Sequence, residues 1–529
     1  MSIESSQSAS EKKKGLYRIT TNYCRLIATM AMGIATVPLQ IKWLGMEGFG
    51  LLGLVGSSVG IGGMLQDMVR SSMVRELGAS WHEGSNKTFR QSYAASFKVC
   101  LIVAILTAVV FGIIISIIPL LNIRDEWVKP AQWITGCEGV VTFLIVLFAP
   151  AINMLIVREQ FFWHNMWTVI RRSAYLISTI IPFLILEPTD LIKGLYIYGN
   201  SILTVNCIAT FSLIIGFIIY DKRMIPTFRG ATKEAMKKVS GTFGWNSSVV
   251  LAMNLHERVA NFIMNIFFGL WGNAVFSLAL RLVSYIRMAT LGLTFGLDSV
   301  SARLSSTEND SSLRAMFRHS TRMLSFVAFP AMIVVFVLAE PLLRIWIGKS
   351  VENPLEVLPS AEILVKIMVL GLTCRAISDG WMKLFYGAGF IRRYAPYVLA
   401  GGLFNPLLSI SFIYILPESS SFTGAAIAYS SVFLLIHMFI MPKVTSQEVG
   451  LTCWSVVCPI FRPLFIAIAA SPAMFLGTSF ISNGSLNWTG VLISIGSYGI
   501  AYGIASWFLM LTPRERKGAI RIARQLSSR

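Results

Sequence analysis

The chain has 529 residues, of which 55% belong to the set AVILMFWYC and only 13% are charged, and its mean hydropathy is +0.66. Soluble chains carry about 25% charged residues, so this composition excludes a string of soluble domains and fits an integral membrane protein. The net charge of +19 would point to nucleic acid if it formed one basic face; here the basic residues lie between apolar blocks, membrane topology accounts for them, and no nucleic acid partner is expected.

Residues 1–14, MSIESSQSASEKKK, form a polar tail closed by a lysine run. The apolar segment behind it has no A-x-A cleavage site close by and reads as a retained first helix. A crossing needs about 20 apolar residues, and fourteen windows follow: 15–44, 49–74, 91–121, 133–157, 164–186, 193–220, 242–268, 273–299, 322–347, 363–387, 394–416, 422–441, 456–481 and 488–511. The expected fold is an all-α membrane protein of about fourteen transmembrane helices, with two pseudo-symmetric six-helix lobes and two C-terminal helices. Its parts are a tail (1–14), an N-terminal lobe (15–220), a basic cytoplasmic linker (221–241), a C-terminal lobe (242–441), appended helices (442–512) and a basic tail (513–529). The linker reads either as a solvated connector or as a surface helix on anionic headgroups.

Orientation follows from Lys and Arg in short loops. Lys12, Lys13, Lys14, Lys87, Arg90, Arg158, Lys222, Arg223, Arg229, Lys237, Lys238, Arg303, Arg314, Arg318, Arg392, Arg393 and Lys443 fall on the side of the N-terminus, as does the basic tail. Arg124, Lys129, Lys193 and Lys349 fall opposite. Both termini are therefore expected in the cytoplasm. The seven cysteines, Cys24, Cys100, Cys137, Cys207, Cys374, Cys453 and Cys458, sit in or beside apolar windows without metal-site spacing, so no disulfide framework is expected. A weak internal echo relates LGMEGFGLLGLVG (44–56) to FGLWGNAVFSLALR (268–281), each a Gly-containing external turn between two helices.

A charge inside hydrocarbon is costly, so each one is a functional hypothesis. In span one Arg18, Thr21, Asn22, Arg25, Thr29, Gly33 and Thr36 recur at helical spacing as a polar stripe. Span seven carries Asn254, Glu257, Arg258, Asn261 and Asn265, with His256 read as a packing residue more than a proton relay. Span eight adds Arg281 and Arg287. In span ten Arg375 and Asp379 are an i, i+4 pair, either a packing lock or a substrate contact. Asp67, Arg70, Arg75 and Glu76 sit at the inner end of span two, with Asp67 and Arg75 as inner-gate candidates, and Arg171 and Arg172 read as anchors of span five. Deep arginines (Arg25, Arg258, Arg281, Arg287, Arg375) outnumber deep acids, counted as Glu257 and Asp379. Guanidinium forks suit phosphate or carboxylate oxygens, so an anionic ligand is expected. The substrate-binding candidates are these five with Arg70; the polar or coupling candidates are Thr21, Asn22, Asn254, Glu257, Asn261 and Asp379. No phosphate loop, zinc-protease motif or nucleophile elbow occurs in the sequence. The chain is thus read as a transporter and not an enzyme, without cofactor or metal, its coupling ion (H+ or Na+) left open.

The segment VPLQIKWLGMEGFGLLGLVGSS, followed by QDMVRSSMVREL, resembles the first two helices of polysaccharide-export and O-antigen (Wzx-type) flippases of the multidrug/oligosaccharidyl-lipid/polysaccharide superfamily, and FSLALRLVS looks like the matching region of the second lobe. The resemblance implies a V-shaped pair of lobes around a cationic cavity in a bacterial inner membrane. Through it an undecaprenyl-diphosphate-linked oligosaccharide would pass to the outer leaflet by alternating access, for O-antigen and lipopolysaccharide synthesis. It further implies diphosphate contacts at Arg25, Arg70, Arg258 and Arg281 or Arg287, and membrane lipids, a polysaccharide polymerase and chain-length proteins as partners. Many relatives carry an aspartate where Glu257 stands and a proline near Asp298. A lipid II flippase or a cation-coupled drug exporter is the alternative within the superfamily; a membrane glycosyltransferase, polymerase or assembly scaffold is the alternative outside it.

Reporter fusions after Lys238 and after Lys517 are expected to read out in the cytoplasm and one near Asn122 outside. A cytoplasmic signal at Asn122 reverses the whole charge argument.

Overall fold

On the second helix, Ile102, Ile105, Leu106, Val109 and Ile113 lie exposed at helical spacing, while Phe97, Cys100, Val103, Ala104, Thr107, Phe111 and Ile114 are buried on the other side. An uncovered apolar stripe of this length fits a lipid-facing surface. The computed structural model repeats the pattern along the chain. It describes residues 2–185, 190–240, 243–294, 296–306, 310–478, 488–513, 515–517 and 520; the side chains of 2–19, Asp67, Arg70 and Arg75 are among those outside the description.

Among the described residues every regular element is helical: α1 Ser2–His82, α2 Asn86–Ile117, α3 Asp125–Leu147, α4 Ala149–Val157, α5 Phe161–Ile185, α6 Leu191–Tyr220, α7 Lys233–Ser240, α8 Phe243–Asn254, α9 Ala260–Leu291 and α10 Leu297–Ser306. They continue as α11 Asp310–Val337, α12 Ala339–Ile347, α13 Pro354–Ala388, α14 Ile391–Ile415, α15 Gly424–Leu434, α16 Met441–Val449, α17 Cys453–Ala470, α18 Phe475–Thr478 and α19 Trp488–Leu509. π turns at Leu255–Val259 and Leu435–Ile440 join α8 to α9 and α15 to α16.

Twelve of the described helical stretches are long and apolar enough to cross a membrane. Two of them, Thr20–Leu65 and Ser247–Thr294, are 46 and 48 residues long, about twice what a ~30 Å core requires. Each is broken at one glycine, Gly45 (φ 70°, ψ −178°) and Gly269 (φ 63°, ψ −157°), a conformation that only glycine adopts without strain. At Gly269 the chain doubles back. Ser277 Oγ donates to Asn261 Oδ1 at 3.2 Å, whereas sixteen residues of unbroken helix would hold them about 24 Å apart. Divided at these glycines, the twelve stretches become the fourteen segments expected. The echo is physical as well: Cβ atoms added at Gly48 and Gly272, three residues past each break, would both lie 2.5 Å from a preceding Cβ, that of Leu44 and Phe268.

Span four begins earlier than its window. Lys129 and Pro130 read as loop, yet α3 opens at Asp125 with Asp125 and Glu126 in its first turn, where carboxylates complement the helix dipole. The linker helix α7 buries Ala235 and Val239 against Met73, Leu77, Phe89 and Tyr93, and leaves Lys233, Lys237 and Lys238 exposed. Its apolar side is taken up by protein, which removes the reading of a helix lying with that side in lipid.

The chain forms two compact units. The first runs to Leu278 and adds Ser350–Asn353 and Ala395–Ala428. Its core has one cluster around Trp43, Leu51, Trp127, Ile134 and Leu195 and another around Met73, Tyr93, Phe97 and Met154. The second comprises Ala279–Lys349, Pro354–Tyr394 and the chain from Tyr429. There the buried Trp381 donates its indole N–H to Thr321 Oγ1 at 2.7 Å, and Phe385 packs between Phe317 and Tyr394.

Where α6 ends, Arg158 stacks over Trp81 (5.0 Å), Phe217 (5.3 Å) and Tyr220 (5.4 Å), and Arg223 also stacks over Trp81 (4.6 Å). Asp221 binds both guanidiniums, at 3.2 Å to Arg158 and 2.8 Å to Arg223. Chiefly the hydrogen bonding from Arg223 holds the Asp221 carboxyl below its ordinary range. A depressed carboxyl stabilises the fold fully above its unfolded pKa and loses that contribution as pH falls through its folded one. Asp221→Asn should therefore lower the melting temperature at neutral pH, by a loss on the order of 1 kcal/mol because Arg223 is half exposed. Its melting curve should converge with that of the parent in acid; a gap that persists unchanged in acid removes the charge as its cause.

Candidate functional site

Span seven is not a regular helix where its charges lie. The π turn Leu255–Val259 carries His256, Glu257 and Arg258, and such turns recur at functional sites. The turn gives the His256 carbonyl an outside donor, the Asn405 amide at 3.1 Å, and the His256 ring is buried, in keeping with packing. Glu257 and Arg258 are half-buried. The Arg258 side chain lies directly on Gly60: a Cβ there would meet Arg258 Nε, with Cδ and Cζ at 2.8 Å. Arg258 Nε is enclosed and has no hydrogen-bond partner among the described residues.

Below Gly60 the same face of α1 forms a small-residue seam with the two arms that meet at Gly269. A Cβ at Gly50 would strike the Leu270 carbonyl, and one at Gly53 would strike Ser277 Oγ. Hydrogen bonds close the seam: Asn261 Nδ2 donates to Ser57 Oγ at 2.7 Å, and Ser277 to Asn261. Asn265 Nδ2 donates to Asn122 O at 3.0 Å, and the Asn122 N–H returns a bond to Asn265 Oδ1 at 2.9 Å. Asn261 is buried with both ends of its amide engaged, which places it inside a helix seam and not on an open polar face. The seam also explains why α8 and the start of α9 join the first unit.

The other candidates fall as follows. Thr21, Asn22 and Arg25 are half-buried along α1. The hydroxyls of Thr29 and Thr36 turn back onto their own helix, to Arg25 O at 2.9 Å and Met32 O at 2.7 Å, so part of the stripe is satisfied without water. Asn254 likewise donates to Val250 O at 3.0 Å. The side chains of Asp67, Arg70 and Arg75 lie outside the described residues, whereas Glu76 accepts from Ser92 Oγ at 3.4 Å.

In the second unit α9 and α13 assemble three of the candidates. Arg287 Nε meets Asp379 Oδ2 at 2.8 Å, and Arg375 Nη2 meets Asp379 Oδ1 at 3.1 Å. The i, i+4 pair is thus a triad that joins two helices. Arg281 is half-buried six residues before Arg287. One turn from Arg375, Ser378 Oγ pairs with His437 Nδ1 at 2.6 Å, and His437 occupies the second π turn.

Two constellations escaped sequence reasoning. Glu138 on α3 is buried beside Arg171, Arg172 and Tyr175 of α5. Arg171 donates to Asn206 Oδ1 of α6 at 3.1 Å and stacks on Trp167 at 4.8 Å. Arg171 is therefore part of an internal network and not an interfacial anchor, while Arg172 is exposed. The acid in TGCEGVV and the histidine in LLIHMFI were themselves signals, being titratable groups within apolar runs. Among the described residues no three His, Cys, Asp or Glu side chains form a metal-holding group.

Residues 250–410 match the MatE family model. No curated protein matches the chain. Solved structures with the same fold include the lipid II flippase MurJ in an inward closed conformation, with 15% identity, TM-score 0.69, and 93% of this chain and 99% of that one covered. An inward-facing multidrug resistance MATE transporter of the MOP superfamily follows with 14% identity, TM-score 0.60, and 80% and 95% covered. A MOP superfamily transporter from Pyrococcus furiosus, described as having a binding pocket of reversed polarity, gives 16%, 0.57, 82% and 97%. At these identities the likeness is one of fold: the chain has the helical architecture of MurJ and MATE transporters, with a MatE region at its centre.

Proposed function

We propose that this chain is a flippase that carries a lipid-diphosphate-linked oligosaccharide from the inner to the outer leaflet by alternating access. The observation that carries the reading is the surplus of guanidinium inside apolar helices, with Arg258 set in a π turn and Arg287 and Arg375 gathered on one carboxylate. Fixed guanidinium forks match the paired oxygens of a diphosphate and disfavour a cationic drug as cargo. The lobe division at 221–241 belongs to this reading, as do the inner-membrane location, the cytoplasmic termini and the O-antigen type of saccharide.

A lipid II substrate is the second reading. It is favoured by the greater share of this chain that the MurJ structure covers, 93% against 80% for the MATE transporter. Both readings need the same diphosphate chemistry. Reconstituted vesicles loaded with lipid II or with a lipid-linked O-antigen unit separate them by which one reaches the outer leaflet.

Arg258→Ala should abolish flipping at normal protein level while Arg258→Lys keeps part of it, because charge survives but the bidentate geometry does not. Full activity of the Ala variant returns Arg258 to a packing role.

The seam makes a second test. A Gly53→Cys, Ser277→Cys double variant, in a background without the seven native cysteines, should lose flipping when oxidised and recover it with reductant. Unaltered flipping by fully cross-linked protein shows that the seam does not part during transport.

A further inference from the structure

Asp379 is a buried carboxylate whose two oxygens are each taken by a different guanidinium. Oδ2 is held by Arg287 at 2.8 Å, with a longer second bond from Arg287 Nη2 to Oδ1 at 3.5 Å; Oδ1 is held by Arg375 at 3.1 Å. Arg375 is sealed, its side chain 4% exposed, and its Nη1 rests on Met382 Sδ at 3.0 Å. Asp379 is 7% exposed, but Arg287 is 27% exposed. The triad thus opens to the outside on one side only, through Arg287. It carries two positive charges and one negative, with the further positive charge of Lys383 acting on Asp379. The pair of oxygens that a carboxylate offers these forks is the pair that a phosphoryl group offers.

We propose that Asp379 is the built-in occupant of a two-arginine anion site, and that a phosphoryl group of the cargo takes its place by entering at the open side of Arg287. The inference rests on the anionic-substrate reading and adds its regulation. A resident carboxylate keeps the buried guanidiniums paired when no cargo is bound, which avoids an uncompensated buried charge, and it competes with the phosphoryl group so that cargo is released again. Without such a competitor the site would hold its ligand tightly and turn over slowly, since binding the loaded state more strongly does not speed its departure.

The full-length protein, purified in detergent, is titrated calorimetrically with inorganic pyrophosphate. Asp379→Asn keeps the shape and a hydrogen-bond acceptor but removes the competing charge, so it should bind pyrophosphate at least ~10-fold more tightly than the parent. Arg287→Gln should abolish binding in either background. In vesicles, Asp379→Asn should lower both the half-saturating cargo concentration and the maximal flipping rate, a split that a purely structural loss does not produce. Asp379→Ser removes the same charge without an amide and supplies the same readout if the Asn variant does not fold. Pyrophosphate binding by the neutral variants that is absent, equal to or weaker than that of the parent overturns the proposal, as does binding that survives Arg287→Gln. The diphosphate-flippase reading fails separately, if neither lipid-linked saccharide is moved by the parent protein.

Discussion

A charged or polar group inside hydrocarbon must find a hydrogen bond, a counter-charge or water, and the partnerships of this chain follow that demand. Arg287, Asp379 and Arg375 form one satisfied knot across α9 and α13. Arg171, Asn206 and Trp167 form another beside Glu138. Thr29, Thr36 and Asn254 meet the same demand within a single turn, by donating to carbonyls of their own helices. The polar residues in these helices thus fall into two kinds: those that tie a helix to its neighbour, and those that return to their own backbone. Only the first kind organises the fold.

The two glycine reversals place these partnerships. A helix that turns back within one residue brings its two arms together without a loop, so Asn261 and Ser277 meet across Gly269 and both reach Ser57 or Gly53 on α1. Small residues at Gly50, Gly53 and Ser57 let the backbones approach closely, and packing and hydrogen bonding then replace the hydrophobic drive that is lacking between helices in lipid.

Long apolar runs made the helices legible, because span length is a property of the bilayer and needs no knowledge of neighbours. The start of span four was misplaced because Lys129 and Pro130 imitate a loop; the first-turn acids Asp125 and Glu126 were the better signal. Glu138 was readable as a lone acid in an apolar run, but its companions were not, since they come from α5 and α6 and nothing in a single sequence says which helices adjoin. The same holds for the triad. Arg375 and Asp379 announce themselves by spacing, whereas Arg287 is 92 residues from Asp379 and joins them only through the fold. The polar stripe of α1 was overread, because periodicity reveals a shared face but not whether its hydroxyls bond to their own carbonyls.

The π turn at Leu255–Val259 has a consequence for how span seven tolerates insertions and deletions. A π turn is an α-helix with one residue too many, so loss of a single residue there restores ordinary helix and turns everything that follows by about 100°. The helix would remain intact and apolar, yet Asn261 and Asn265 would face away from Ser57 and Asn122. The number of residues between Asn254 and Gly269 is therefore tied to the register of the seam, even though no single side chain within the π turn enforces it.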